Sequence, residues 1–279
     1  MTVTIHASLV KELRDETNVG MMECKKALQE ADGDKEKAFQ LLRERGLAIA
    51  SKKAERTASD GLITAQVSDD GKRGALLEVN CETDFVARNE TFQSFVNELL
   101  QKAMETDDSL ADACKDELVA KIAEIGENLI IHRHIRYQLE GPGSVASYIH
   151  LGGKVGVLLE VGCDNEATVS QDGFQAMVKD ICLHIAFSNP VALDRTGVDG
   201  SAVEAERALF AKQAEGKPPE IVEKMVEGKI NKFYAQICLL EQTFVKDSDL
   251  TLAGLLEAKG KELGDTFTIR RYQRYQIGG

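Results

Sequence analysis

An internal repeat constrains the fold of this sequence more than any other feature. The segment 75–81, which reads ALLEVNC, returns 82 residues later at 157–163 as VLLEVGC. The segment 92–96, which opens with phenylalanine and glutamine, returns at the same offset in 174–178. Two copies that keep this spacing predict two units built on the same scaffold.

A second pair of matching segments closes each unit. Residues 126–131 resemble 264–269, and the RYQL of 136–139 matches the RYQI of 274–277, now at an offset of 138 residues. The growth of the offset from 82 to 138 predicts an insertion of 56 residues in the second unit. This insertion lies after the helix of that unit and before its last strand.

The two copies differ in the loop between their matched segments. The first copy reads ETDFVARN over 82–89, whereas the second reads DNEATVSQ over 164–171. Phe85 therefore stands where its counterpart is Ala167. Because loops on a rigid scaffold often carry function, the loop around Phe85 is the first candidate site. The alternative is a structural role, with Phe85 in the core and Asp84 as a helix cap.

The order of the predicted elements indicates an α+β fold with antiparallel sheets. Strands, then helices, then a returning strand is the order expected for such a layer. In the first unit we expect strands at 62–67, 74–81 and 128–139, and helices at 92–103 and about 110–124. In the second unit we expect strands at 145–150 and 154–163 and a helix at 174–187.

The N-terminal region predicts three short helices with a small common core. Their expected buried positions are Val10 and Leu13, then Met22, Ala27 and Leu28, and finally Ala38, Leu41 and Leu42. Gly46 is a typical helix terminator, so the third helix is expected to end there. A bundle of this size has a small core, and it is more typical of a docking module than of an enzyme.

We therefore expect four segments along the chain. They are a three-helix domain at 1–46, a linker at 47–59 that is helical in part, a first core unit at 60–141 and a second core unit at 142–279. Within the second unit, 191–240 is the insertion. Its helical patterns at 203–214 and 220–237 have sparse apolar positions, which predicts a projecting helical hairpin.

Composition excludes several classes of protein. The net charge of −12 argues against nucleic acid as the main partner, because nucleic-acid binders present basic surfaces. No apolar run of about 18 residues is present, so no membrane span is expected, and the N-terminus lacks the pattern of a signal peptide. The six cysteines form no CxxC pair, which is consistent with reduced thiols in a cytoplasmic protein.

The sequence contains no convincing motif for catalysis or for binding a cofactor. The segment 152–154 lacks the rest of a phosphate-binding loop. His132 and His134 lie on one face of a predicted strand, but no third metal ligand accompanies them. Acidic neighbours of Cys81 would raise the pKa of its thiol, which weakens the third interpretation, a cysteine hydrolase. The sequence therefore favours a binding protein that is not an enzyme and has neither cofactor nor metal.

Three motifs resemble those of the bacterial elongation factor Ts family, and the similarity covers nearly the whole chain. They lie in 13–28 (LRDETNVGMMECKKAL), 78–87 (EVNCETDFVA) and 216–228 (GKPPEIVEKMVEG). The family exchanges nucleotides on the GTPase elongation factor Tu during translation. The resemblance implies a factor that binds elongation factor Tu–GDP, displaces Mg²⁺ and promotes GDP release so that GTP can rebind, without binding nucleotide itself.

The resemblance also implies a set of contact residues. The N-terminal bundle would be ubiquitin-associated-like (UBA-like) and would dock on the GTPase domain, while the second unit would grip another domain and the insertion would be a coiled coil. The loop Thr83, Asp84, Phe85 and Val86 would reach the magnesium site, with Phe85 as a wedge between helices. His150 would press toward the phosphate side, although an ordinary turn histidine is the alternative. The further contact residues are Leu13, Arg14, Thr17, Gly20, Met21, Met22, Cys24 and Lys25.

An RNA-binding translation protein is the alternative function. It would use a basic and aromatic strand containing Arg270, Arg271, Tyr272, Arg274 and Tyr275. The same alternation fits a plain sheet face, and the acidic net charge argues against this interpretation. Salt-sensitive binding to RNA alone would support it.

Overall fold

Each copy of the repeat folds into a three-stranded antiparallel sheet. The computed structural model describes residues 5–17, 19–214 and 216–279, and its two sheets have the strand orders β1-β2-β3 and β4-β5-β6. The strands are β1 (Asp60–Val67), β2 (Arg73–Cys81), β3 (Ile130–Gln138), β4 (Gly143–His150), β5 (Val155–Cys163) and β6 (Phe267–Gln276). The predicted α+β class with antiparallel sheets is confirmed.

Helices form the N-terminal region, the outer layers and the insertion. The N-terminal helices are α1 (Ala7–Thr17), α2 (Met21–Glu30) and α3 (Lys35–Lys53). The first unit contains α4 (Asp84–Ala87), α5 (Glu90–Ala103), α6 (Leu110–Ala113) and α7 (Lys115–Ile125). The second unit contains α8 (Asp172–Ser188), α9 (Gly200–Gln213), α10 (Pro219–Ile237) and α11 (Leu252–Leu263). Among the described residues, no helix has both the length and the apolar character that a membrane crossing requires.

The central strands β2 and β5 are buried on both faces because each lies between helices and the other sheet. On β2, Ala75, Leu77 and Val79 pack in the core beneath the helices of the first unit. Leu76 belongs instead to the cluster between the two sheets, and Leu158 does the same on β5. The layers therefore run helix, sheet, sheet, helix, and the repeated apolar segments are the two buried central strands.

The two sheets pack on each other with approximate two-fold symmetry. The Ile63 N–H donates to the Gly153 carbonyl at 2.7 Å, and the Val145 N–H donates to the Gly71 carbonyl at 2.7 Å. The two hydrogen bonds are equivalent, because Val145 is the counterpart of Ile63 and Gly153 is the counterpart of Gly71 at the offset of 82. Gly153 has a φ of +91°, and a Cβ there would lie 2.2 Å from Leu62 Cδ1, so the contact requires glycine. The apolar residues buried between the sheets are Ile63, Leu76, Tyr137, Leu139, Val145, Leu158 and Tyr275.

A buried glutamate on each central strand pairs with an arginine from the neighbouring strand. Glu78 is 1% exposed and accepts a hydrogen bond from Arg133 Nε at 2.7 Å. The guanidinium of Arg133 also lies 4.3 Å from the ring centroid of Tyr275, which belongs to the other sheet. The second copy repeats the arrangement with Glu160, Arg271 and Tyr137. Each arginine thus stabilises both its own sheet and the contact between sheets.

The three N-terminal helices share a small core. Its buried side chains are Val10, Leu13, Cys24, Ala27, Leu28, Ala31, Ala38 and Leu42. Met22, which the sequence analysis placed on the buried side of α2, is 64% exposed. The reason is that Cys24, Ala27 and Leu28 fill the face of α2 that contributes to this core.

The third helix does not end at Gly46, so that expectation is wrong. It continues to Lys53, because α3 packs along α7 of the first core unit past this position. A Cβ on Gly46 would lie 3.5 Å from Val119 Cγ1 on α7. On the same side, Arg43 donates to Asp116 Oδ2 at 2.6 Å. The first part of the expected linker is therefore a helix docked on the first core unit.

The insertion contains two helices that contact each other. α9 and α10 begin and end within three residues of the predicted helices, and a short connection joins them. Val203, Val226 and Ile230 form their small buried cluster, with Phe210 and Phe233 partly buried beside it. This core is sparse, as the sequence indicated, while the coiled-coil character of the pair stays a prediction.

Candidate functional site

The loop that distinguishes the two copies folds into a single helical turn. β2 ends at Cys81, and α4 begins at Asp84. Thr83 caps this turn, because its Oγ1 accepts a hydrogen bond from the Val86 N–H at 3.4 Å. The Cys81 thiol donates to the Thr83 carbonyl at 3.2 Å. Asn89 then caps α5, so the turn is fixed at both ends.

The carboxylate of Glu127, just after α7, braces this turn from outside. Its Oε2 accepts the backbone N–H groups of Glu82 at 3.0 Å and of Thr83 at 3.1 Å. Its Oε1 accepts the Thr83 hydroxyl at 2.7 Å. In return, Glu82 Oε1 accepts the Asn128 N–H at 2.7 Å. These bonds hold the backbone of the loop without using the side chains of the two residues that follow Thr83.

Phe85 projects into solvent from the braced turn. Its side chain is 83% exposed, more than any other large apolar side chain among the described residues. A core role for Phe85 is therefore wrong, and Thr83 supplies the cap in place of Asp84. The Asp84 carboxylate lies 3.1 Å from the Arg88 guanidinium in a pair that solvent reaches. An exposed aromatic ring beside a carboxylate is well suited to anchor a contact with another protein.

The second copy repeats the bracing but not the exposed aromatic ring. Asp265 accepts the Asp164 N–H at 2.9 Å and the Asn165 N–H at 3.2 Å. Asn165 takes the capping role and accepts the Ala167 N–H at 3.0 Å. Because Ala167 stands in the place of Phe85, the two loops share a scaffold and differ in what they present.

The hairpin turn after β4 lies at the same end of the molecule as the α4 turn. Asp60 pairs with Cys81 in the register of β1 and β2, and its carboxylate forms an ion pair with Lys154 just past the hairpin turn. His150 closes the other arm of the hairpin and is exposed. Its Nδ1 lies 3.1 Å from the Tyr148 hydroxyl. The structure thus brings His150 to the end of the molecule that carries the α4 turn.

The N-terminal candidate residues divide into a buried and an exposed group. Leu13 and Cys24 are fully buried in the core of the bundle. Thr17 is half-buried, and its hydroxyl donates to the Leu13 carbonyl at 2.6 Å. These three residues shape the bundle and contribute little to its surface. The exposed candidates are Arg14, Gly20, Met21, Met22 and Lys25.

Contacts that the sequence analysis missed connect the N-terminal region to the α4 turn. Beyond α3, the Arg56 guanidinium lies 3.5 Å from Glu82 Oε2, and the Arg56 carbonyl accepts a hydrogen bond from Asn128 Nδ2 at 2.8 Å. The Glu127 brace was also missed. The sequence does contain a signal for it, because the second copy also has an acidic residue, Asp265, at the position equivalent to Glu127.

The residues considered for catalysis have other roles. Burial raises the pKa of the Cys81 thiol to about 12, which contradicts the reactive thiolate that a cysteine hydrolase needs. His132 Nδ1 lies 2.8 Å from Asn80 Oδ1. Within the part of the chain that the structure describes, no three His, Cys, Asp or Glu side chains form a group that could hold a metal ion.

The basic and aromatic strand considered for RNA binding is engaged within the protein. Arg271 Nε donates to the buried Glu160 at 2.7 Å, and Arg274 Nε donates to the Ala186 carbonyl at 3.2 Å. Tyr275 is 4% exposed. The alternation of residues on β6 is therefore explained by packing and pairing within the second unit and against the first.

Comparison with known proteins connects this site to one family. A family model described as Elongation factor TS matches residues 82–279. The elongation factor Ts of Clostridium acetobutylicum is 45% identical over 288 residues, covering 98% of this chain and 92% of that protein. The elongation factor Ts of Trichlorobacter lovleyi is 43% identical over 291 residues, covering 99% of this chain and 93% of that protein. The chain therefore belongs to the elongation factor Ts family.

Proposed function

We propose that this chain accelerates the release of GDP from elongation factor Tu by inserting the α4 turn beside the partner's nucleotide site. The observation that carries the proposal is the 83% exposure of Phe85 on a turn whose backbone Glu127 already fixes. As an exchange factor, the chain lowers the affinity of its partner for nucleotide by binding it. It makes and breaks no covalent bond, and translation elongation is the process it serves.

Exchange of this kind follows from coupling between two binding equilibria. A protein that binds the nucleotide-free GTPase more tightly than the GDP-bound form must weaken GDP binding by the same factor. The tighter contact therefore has to be one that the GDP-bound form cannot make. A turn that is ordered before binding loses little conformational freedom on docking, so more of its contact energy remains available for this coupling.

Phe85 supplies the contact that distinguishes the two states of the partner. A rigid aromatic ring needs a pocket, and opening that pocket between two helices of the GTPase displaces the groups that hold Mg²⁺. Removing an aromatic anchor from the centre of an interface costs about 2 kcal/mol or more. This corresponds to a change of roughly thirtyfold in the stability of the exchange complex.

Asp84 acts on the metal electrostatically. Bound Mg²⁺ is among the largest local charges in a nucleotide site, so losing it weakens the attraction for the phosphates. The Asp84 carboxylate sits one residue before Phe85 and brings a negative charge to the same place. Val86 and Thr83 complete this contact surface, with Thr83 also holding the turn in shape.

The N-terminal region supplies a second contact. We assign docking on the GTPase domain to the exposed group of Arg14, Gly20, Met21, Met22 and Lys25, while Leu13, Thr17 and Cys24 maintain the shape of the bundle. In this proposal the UBA-like domain is 1–46, and 47–59, whose first part is the continuation of α3, connects it to the core. The units at 60–141 and 142–279 grip two different domains of the partner, and 191–240 is the coiled-coil hairpin.

His150 is the third proposed contact. It lies on the hairpin at the same end as the α4 turn, and in this proposal the partner covers both. We assign it a position facing the phosphate side of the nucleotide site.

The proposal is tested by stopped-flow release of a fluorescent GDP analogue from elongation factor Tu–Mg²⁺. The wild-type chain is expected to accelerate release strongly, and Phe85→Ala is expected to lose most of this acceleration. Ala167→Phe is the matched control, because it places the same ring on the equivalent turn of the second unit. It should leave the rate unchanged, and it should not rescue Phe85→Ala.

Two results would overturn the proposal in different ways. If the wild-type chain gives no acceleration, the exchange function is wrong for this chain. If acceleration survives in Phe85→Ala, the function stands and the wedge is wrong.

A further inference from the structure

The two ends of the molecule use equivalent lysines in different ways. Lys72 and Lys154 occupy the same place in the two copies, since they differ by 82 in number. Lys72 Nζ contacts the carboxylate of Glu166, which is the counterpart of Asp84 in the second copy. If the symmetry were complete, Lys154 would pair with Asp84 in the same manner.

Lys154 instead pairs with a carboxylate that has no counterpart. Its Nζ contacts Asp60 and donates to the Gly61 carbonyl at 3.2 Å. The residue equivalent to Asp60 is Pro142, which offers no carboxylate. The equivalent position therefore gives Lys72 no such partner, and Lys72 turns to Glu166.

Because of this difference, the Asp84 carboxylate of the α4 turn is not paired with Lys154. Among the described residues, Asp84 forms an ion pair with Arg88, whose side chain is 80% exposed. Pairs of this kind within one helical turn are weak, because water competes for both charges. The Asp84 carboxylate thus remains available to an incoming protein, whereas Glu166 is already paired with a lysine from the other sheet.

The groups involved form one cluster of alternating charges. Burial opposes ionisation of Asp60, but the Lys154 ammonium, the Gly61 N–H and the nearby Arg88 together lower its pKa. Arg88 therefore acts electrostatically on both acids, although its ion pair is with Asp84. Lys154 lies on the hairpin next to this cluster, and its long stem lets the ammonium reach other positions.

We propose that Asp60 is a positioning residue for nucleotide exchange, which holds Lys154 away from Asp84. Without Asp60, the Lys154 ammonium would turn to Asp84, because the equivalent Lys72, which has no such partner, contacts Glu166, the counterpart of Asp84. Asp84 would then meet the partner as half of a neutral pair. This inference rests on the function proposed above, because it concerns the same α4 turn.

The test compares GDP release from elongation factor Tu with four variants. Asp60→Asn keeps an oxygen that can accept the Gly61 N–H but releases Lys154, so kcat/KM for exchange should fall roughly threefold, the scale of one exposed ion pair. Lys154→Met should keep the wild-type rate, because no lysine is left to neutralise Asp84. The double variant Asp60→Asn/Lys154→Met should also return to the wild-type rate. Glu166→Gln breaks the equivalent pair at the opposite end and should leave exchange unchanged.

This pattern separates positioning from a purely structural role. If the ion pair only stabilises the fold, Lys154→Met and the double variant will be as slow as Asp60→Asn, and the inference is wrong. A normal rate in Asp60→Asn also overturns it. Urea unfolding of each variant shows whether a slow variant is simply less stable. The wild-type rate, measured in the same experiment, tests the exchange function independently of Asp60.

Discussion

The Glu127 carboxylate accepts hydrogen bonds from both the backbone N–H and the hydroxyl of Thr83, at 3.1 and 2.7 Å. Replacing Glu127 with alanine removes the acceptor for both groups and for the Glu82 N–H. Hydrogen bonds to a charged group contribute about 1.5–3 kcal/mol each, so the α4 turn should become mobile. We expect faster deuterium exchange of the amides at 82–86 and GDP release slower by roughly tenfold.

Asp265→Ala is the matched control for this prediction. It removes the same kind of brace from the loop of the second unit, where Asp265 holds Asp164 and Asn165. It should loosen that loop while GDP release stays near the wild-type rate. Equal losses of exchange in both variants would mean that general destabilisation, and not the α4 turn, is responsible.

Removing the arginine from either buried ion pair should destabilise the fold, but by different amounts. Arg133→Met leaves the 1% exposed Glu78 with the Asn80 amide and the His132 ring, whose Nδ1 lies 3.9 Å from the carboxylate, and a buried carboxylate that loses its arginine costs about 3–5 kcal/mol. Arg271→Met should cost less, because the guanidinium of Arg270 lies 3.4 Å from Glu160. Urea unfolding measures both free energies. A larger loss for Arg271→Met would contradict this explanation.

The stability of the protein should fall at alkaline pH because of its buried thiols. Burial raises the pKa of Cys182 from 9.0 to about 12, so the folded protein holds this proton more tightly than the unfolded chain does. The protonated Cys182 thiol therefore contributes fully to the free energy of unfolding below pH 9. This contribution is lost as the pH rises from 9 to about 12. Unfolding measured across this range should show a shallower decline in Cys182→Ala than in the wild type. Identical slopes would contradict the assignment.

Gly46→Ala should be tolerated and should raise the free energy of unfolding. Gly46 lies inside α3, and the new Cβ would make ordinary contacts with Val119 at 3.5 Å and Ala123 at 3.9 Å. Alanine is favoured over glycine within a helix by about 0.8–1.0 kcal/mol. Thermal and urea unfolding measure the gain. A clear loss of stability would instead indicate that the helix ends at Gly46 in solution.

The repeat in the sequence was sufficient to predict the central architecture. Because equivalent apolar segments at 75–81 and 157–163 kept their spacing, two related units with buried central strands followed directly. The exposed position of Phe85 was also foreseeable, since Ala167 shows that the scaffold does not need an aromatic side chain there. The insertion followed from the change in offset.

Other features depended on contacts that local patterns do not encode. Gly46 is a helix terminator by local preference, and only the approach of α7 explains why α3 continues past it. Met22 has the apolar character of a core residue but lies on the exposed side of α2. The pairing of Lys154 with Asp60 joins residues 94 positions apart, so no short motif reveals it.

The reciprocal bonds between Ile63 and Gly153 and between Val145 and Gly71 make the two units resemble the subunits of a homodimer that share one chain. In a dimer of identical chains, every substitution appears at both ends at once. A single chain removes that restriction, so one end can carry an exposed phenylalanine beside a solvent-exposed ion pair, while the other end carries an alanine and a carboxylate bound to a lysine of the other unit. The covalent link thus allows a symmetric body to present a one-sided surface, which a partner can approach from a single direction.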